Sequence, residues 1–216
     1  MAQIFHRSTN TLARASIFGA GLVAVGIFAL GYAFQRSSYV TGVNIPRHQT
    51  VPFSHQHHVQ GVGLDCRYCH TSVEESSFAG IPPTQTCMNC HSQIWTEAPV
   101  LEPVRQSWKT GQPLEWVRVH DLADFVYFPH NVHVAKGVAC VTCHGRVDRM
   151  ALTWKSNSLY MEWCLGCHRD PAKYLSPADA VFRMDAEPPE DPEARGQELM
   201  KQNQVHTRTD CSTCHR

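Results

Sequence analysis

All ten cysteines of the chain fall into five copies of Cys-x-x-Cys-His: Cys66-Cys69-His70, Cys87-Cys90-His91, Cys140-Cys143-His144, Cys164-Cys167-His168 and Cys211-Cys214-His215. Two thiols three residues apart lie on one helical turn, and each can form a thioether to one of the two vinyl groups of a haem. The histidine that follows then presents its imidazole to the iron from the same side. A zinc ribbon also uses paired Cys-x-x-Cys, but it needs four ligands per ion, has no reason to put histidine after every pair, and cannot be built in whole number from five pairs. A dithiol oxidoreductase needs one such motif, not five. The motifs therefore predict five covalently attached haem c groups, with His70, His91, His144, His168 and His215 as proximal iron ligands.

A low-spin electron carrier needs a sixth ligand on each iron, so five distal groups are wanted. Nine histidines lie outside the motifs. His55 with His58, and His130 with His133, form two His-x-x-His pairs just upstream of haem motifs. At that spacing two imidazoles on one helical turn can point towards two different irons, the first serving the nearest haem of its own module and the second a neighbour. His120, between the modules, is the fifth candidate and is expected at the Cys87 haem. Met150 and Met161 compete with it, because thioether is the other common distal ligand. His206 lies near the last motif, His48 and His57 read as surface groups, and His6 precedes the apolar run described next.

Residues 16–35 hold an uncharged run, SIFGAGLVAVGIFALGYAF, about as long as a membrane-spanning helix requires. A cleaved signal peptide has a shorter apolar stretch, about 7–15 residues, and a small-x-small site after it. The run is therefore expected to be a retained anchor. Arg7 and Arg14 ahead of it favour a cytoplasmic N-terminus, which puts the haem motifs on the periplasmic side of a bacterial cytoplasmic membrane. Ala20 with Ala24, and Ala29 with Ala33, would let another helix approach closely. The chain balances 19 basic against 19 acidic residues and is 43% hydrophobic. The neutral balance does not suggest nucleic acid as a partner.

The outer part is organised by an internal repeat. Phe53, His55, His58 and Val59 recur as Phe128, His130, His133 and Val134 at a constant offset of 75 residues, followed by Gly61-Val62 and Gly137-Val138. The expected layout is a cytoplasmic segment (1–15), the anchor (16–35), a linker (36–52), two two-haem modules (53–110 and 111–180) and a tail with the fifth haem (181–216). The fold class is one transmembrane helix followed by a haem-cored domain of short helices and irregular chain, with a helix over Asp191 to Asn203. Arg67, Arg146, Arg169 and Arg216, inside or beside haem motifs, are candidate partners for haem propionates.

The Phe-x-His-x-x-His pattern upstream of Cys-x-x-Cys-His resembles the class III multihaem cytochromes c. The anchor, the two modules, the stretch from Trp116 through His120 and Asp124 to Phe128, Met161-Glu-Trp163-Cys164 and the terminal Cys-Ser-Thr-Cys-His-Arg together resemble the pentahaem subunit of alternative complex III. That resemblance implies a quinol-oxidising membrane complex, with an iron–sulfur protein, integral membrane quinol-binding subunits and a monohaem cytochrome c as partners. This chain would relay electrons towards a periplasmic acceptor without being the catalytic subunit. The multihaem subunit of another menaquinone-linked oxidoreductase is the alternative. A multihaem reductase enzyme is another, but it would need an open or unusually ligated iron, and every motif here ends in histidine.

Overall fold

The computed structural model describes residues 4–187 and 190–215. The uncharged run forms helix α1 (Thr9–Arg36), whose 28 residues include none that is buried. At 1.5 Å per residue it is roughly 42 Å long, more than the roughly 30 Å of a bilayer's hydrocarbon core. Among the described residues it is the one helix long and apolar enough to cross a membrane. A short helix, α2 (Ser38–Thr41), follows and ends at Gly42, whose left-handed φ of 68° suits glycine. The chain up to Val43 forms one unit, and the chain from Asn44 onward forms a second.

The second unit consists of short helices: α3 (Cys66–Cys69), α4 (Thr84–His91), α5 (Glu102–Thr110), α6 (His130–Ala135), α7 (Cys140–His144), α8 (Met161–Arg169), α9 (Pro192–Gln202) and α10 (Cys211–Cys214). Each Cys-x-x-Cys pair lies on one of them. Asp65 caps α3 by accepting from the Arg67 amide, and Asp191 caps α9 by accepting from the Ala194 amide. Among the described residues there is no strand; an isolated antiparallel bridge joins Val138 and Leu175.

Fully buried apolar side chains are few. Val51, Leu101 and Val104 make a small cluster, with Cys87, Met88 and Trp116 packed against it. Met150 is the largest fully buried side chain. The segment expected as a linker joins this unit from Asn44. The Asn44 and Arg47 amides donate to the Lys155 and Thr153 carbonyls at 2.8 and 3.1 Å, and Val51 is buried. Those backbone bonds need no side-chain pattern, so no periodicity announces them.

The repeated segment differs between its copies in one instructive way. Eight positions separate His58 from Cys66, and seven separate His133 from Cys140. The first copy absorbs its extra residue as a π-helical turn, Gln56–Gly61, where the second forms the regular helix α6. After that adjustment the equivalent glycines are Gly63 (φ 81°) and Gly137 (φ 89°). Gly61, matched to Gly137 from sequence alone, is therefore not its structural counterpart.

The two modules also interlock. The His130 and Asn131 amides bond to the Ser77 and Ser76 carbonyls, behind the first motif. Reciprocally, the Gln56 amide bonds to the Met150 carbonyl, behind the third.

The tail packs through α9. A Cβ on Gly196 would overlap the carbonyl of Ala172, which sits in the turn Pro171–Tyr174. Gly196→Ala should cost about 1–3 kcal/mol of overpacking, against roughly 1 kcal/mol gained in helix propensity. A lower melting temperature and earlier proteolysis of the tail would show this; an unchanged melting curve would contradict the close contact.

Candidate haem-binding sites

Three of the five motif histidines are held by backbone carbonyls. Nδ1–H of His70 donates to Gly80 O at 2.7 Å, that of His91 to Ile94 O at 3.2 Å, and that of His215 to Phe125 O at 3.1 Å. The upstream histidines repeat the arrangement: His58 with Ser54 O (2.8 Å), His133 with Pro129 O (2.9 Å) and His130 with Ser77 O (2.8 Å). His55 shares a hydrogen bond with the Thr153 hydroxyl at 3.0 Å. A carbonyl can only accept, so its partner Nδ1 carries the proton and Nε2 keeps its lone pair for a metal.

The repeated phenylalanines orient these rings. Phe53 stacks on His58 (4.3 Å, 22°) and meets His55 edge-on (5.0 Å, 86°). Phe128 treats His133 (4.4 Å, 30°) and His130 (4.8 Å, 87°) in the same way. In the sequence these phenylalanines mark the repeat, and their strict pairing with both histidines is a usable signal for this role. The carbonyl acceptors carry no side-chain signal and were invisible.

Three histidine pairs stand at a telling distance. An ion bound by two imidazoles at about 2 Å each holds their ring centroids roughly 6 Å apart. His58 and His91 are 6.2 Å apart, His133 and His168 6.1 Å, and His130 and His144 6.4 Å. Each pairs an upstream histidine with a motif histidine. Burial and, next, the imidazole of His70 lower His55. His120, expected beside the Cys87 motif, lies instead with its ring 4.3 Å from His144. The structure brings His58 to that motif in its place.

Burial, foremost, and then neighbouring imidazoles push His55 down to about 4 and His144 to about 3, and burial followed by Lys155 and His130 pushes His120 down to about 4. His58 and His133 are lowered too, again mainly by burial. All five are thus neutral near pH 7, the form that ligates iron. Nε2 of His120 is also buried without a hydrogen-bond partner, alone in this among the described side chains. Such an orphan is costly unless a ligand meets it.

The sulfur atoms show which motifs are neighbours. Tyr68 of the first motif accepts a hydrogen bond from Asn89 of the second at 3.2 Å, and the Cys69 thiol is pushed up by burial and by nearby Cys87. Cys66 and Cys140 are neighbours, and that interaction, ahead of burial, pushes Cys140 up. Both lie against one segment: Cys66 Sγ is 3.8 Å from Phe182 O, and the Cys140 amide donates to Val181 O at 3.0 Å. Burial and then Cys167 and Cys164 push Cys143 up to about 12. Burial and then Cys214 raise Cys164. In space the motifs therefore run Cys87, Cys66, Cys140, Cys164, Cys211. Cys90 and Cys211, at the two ends, are the exposed cysteines, and the others are half-buried.

Ten free thiols, carbonyl-anchored imidazoles with free Nε2, and the orphaned His120 nitrogen fit haem c as a donor set. Met150 is buried against Gly145 as a core side chain, and Met161 is exposed at the head of α8. Of the arginines expected at propionates, Arg67 pairs with Asp65 (2.9 Å) and Arg146 with buried Asp148 (2.6 Å). Arg216 lies outside the described residues.

Residues 126–216 match the family described as cytochrome c7 and related cytochrome c. The chain is also 32% identical, over 159 residues, to the menaquinone reductase, multiheme cytochrome c subunit, of Nitratidesulfovibrio vulgaris strain Hildenborough. The alignment covers 73% of this chain and 66% of that protein, so the chain spans just under two thirds of its relative's length.

Proposed function

We propose that this chain, which belongs to the multihaem cytochromes c, is the membrane-anchored electron-relay subunit of a menaquinone-linked oxidoreductase and carries five haem c groups. The observation that carries the reading is the single file of five motifs, with paired imidazoles at three of them and exposed cysteines at its two ends. Bound haem c supplies a reversible one-electron iron couple at each motif. The chain's own part is positional. The thiols would hold each haem, the carbonyl-anchored imidazoles would ligate its iron, and the interlocked modules hold neighbouring motifs against one another. His58 would serve the Cys87 motif, His133 the Cys164 motif, and His130 with His55 the central pair.

Helix α1 is proposed to anchor the relay, with its N-terminus inside and the motifs outside. The menaquinone link is taken from the relative's name. Alternative complex III is the second reading, supported by the number of motifs and by the stretch from Trp116 to Phe128. In both readings quinone chemistry takes place on other subunits.

Purification from native membranes in mild detergent tests the proposal. An integral membrane quinone-binding subunit should co-purify, and a menaquinol analogue should reduce the haems within that complex. Additional capture of an iron–sulfur protein and a monohaem cytochrome c would select the alternative complex III reading. A chain isolated without partners that turns over nitrite or hydroxylamine by itself would overturn the relay.

A further inference from the structure

The five predicted distal histidines are all taken up at four motifs. His58 faces His91, His133 faces His168, and His55, His120 and His130 gather around His70 and His144. The fifth motif has its proximal side prepared: His215 donates through Nδ1 to Phe125 O, and the Phe125 ring lies 5.8 Å from it. Its distal partner has to come from elsewhere.

The tail supplies one. An open cleft of about 310 Å³ is lined by Gln197, Met200, Lys201, Gln204, Val205 and His206, immediately before Cys211 in the chain. Its walls are fixed in place. α9 is seated through Gly196 on the turn at Ala172. Lys136 Nζ donates to Asn203 O at 2.7 Å, and Asn203 Nδ2 donates to Lys136 O at 3.2 Å, clamping the end of α9 to the second module. Gln204 then takes a left-handed φ of 52°, and the Val205 amide turns back to Met200 O at 2.8 Å. That bend puts His206 in the lining of the cleft, exposed, five residues before Cys211. Five extended residues reach up to about 17 Å, enough to carry an imidazole round to the other face of a haem whose thioethers begin at Cys211.

We infer that His206 is the distal iron ligand of the Cys211 haem, held over it by the clamped end of α9. This rests on the reading that Cys211 and Cys214 carry haem. Met200, the other iron-ligating side chain in the cleft, forms part of its wall.

The test uses the full-length, haem-loaded protein in detergent, with haem per chain counted first. Four haems per chain with Cys211 and Cys214 unmodified would overturn the haem reading itself. With five haems present, His206→Ala should turn one haem in five from low to high spin, by electron paramagnetic resonance and magnetic circular dichroism. It should also create one carbon monoxide site per reduced chain. His206→Met should restore a six-coordinate iron with a raised potential. Met200→Leu should leave every haem unchanged. Five low-spin haems in His206→Ala would overturn the assignment, as would a spectral change confined to Met200→Leu or a carbon monoxide-binding haem already present in the wild type.

Discussion

His133→Ala converts one haem in five to the high-spin state, and His58→Ala does the same to a different haem. Each variant gains one carbon monoxide site per reduced chain, and the double variant gains two. The effect is large because each imidazole is the one brought opposite its motif histidine, at 6.1 Å for His133 and 6.2 Å for His58. Each is locked by a carbonyl four residues earlier and by a stacked phenylalanine. Removing the ring leaves the phenylalanine and the helix in place, so the fold should persist while one coordination position opens. The central pair should respond differently. His120 already lies 4.3 Å from His144 with a buried, unpartnered Nε2, so it can replace His130 with a small movement. His130→Ala should therefore stay largely low spin, and His130→Ala with His120→Ala should not. Unchanged spectra in His133→Ala and His58→Ala would refute the pairing.

The contrast shows what the sequence could and could not reveal. The five motifs, the long apolar N-terminal helix, the helix at Pro192–Gln202 and the two His-x-x-His pairs were all legible, because each depends on residue type at a fixed short spacing. The placement of His120 was not. It depends on how the modules interlock through the backbone of Ser76, Ser77 and Met150, and backbone donors and acceptors are the same at nearly every residue. The π-turn at Gln56–Gly61 was half legible. The extra residue before Cys66 can be counted, but a count does not say whether the chain bulges within the turn or after it. The local partners of two of the arginines could have been read from sequence. Asp65 lies two residues before Arg67, and Asp148 two residues after Arg146, and each pair closes locally. The spatial order of the motifs was hidden altogether, since the second in sequence stands first in space.

That order gives the second large prediction. Cys140→Ser with Cys143→Ser should abolish the outer domain, whereas Cys211→Ser with Cys214→Ser should leave a folded protein with four haems. The Cys140 motif stands in the middle of the file, with Cys66 on one side and Cys164 and Cys167 on the other. It also holds His144, which burial and its neighbouring imidazoles push down to about 3. A domain with so few buried aliphatic side chains has little with which to offset the loss of a large apolar group at its centre, when net stability is only about 5–15 kcal/mol. An unfilled centre also leaves the Val181–Phe182 segment without one of the two motifs it bridges. The end motif touches one neighbour, near Cys164, and its first cysteine is exposed. Haem-stained membrane fractions give the readout. The central variant should accumulate at on the order of a tenth of the wild-type level or less, since unfolded chains are cleared by proteolysis. The terminal variant should accumulate near normally, with four-fifths of the haem per chain. Equal losses in the two variants would mean that the motifs contribute independently of their place in the file, and the single-file arrangement would then have to be abandoned.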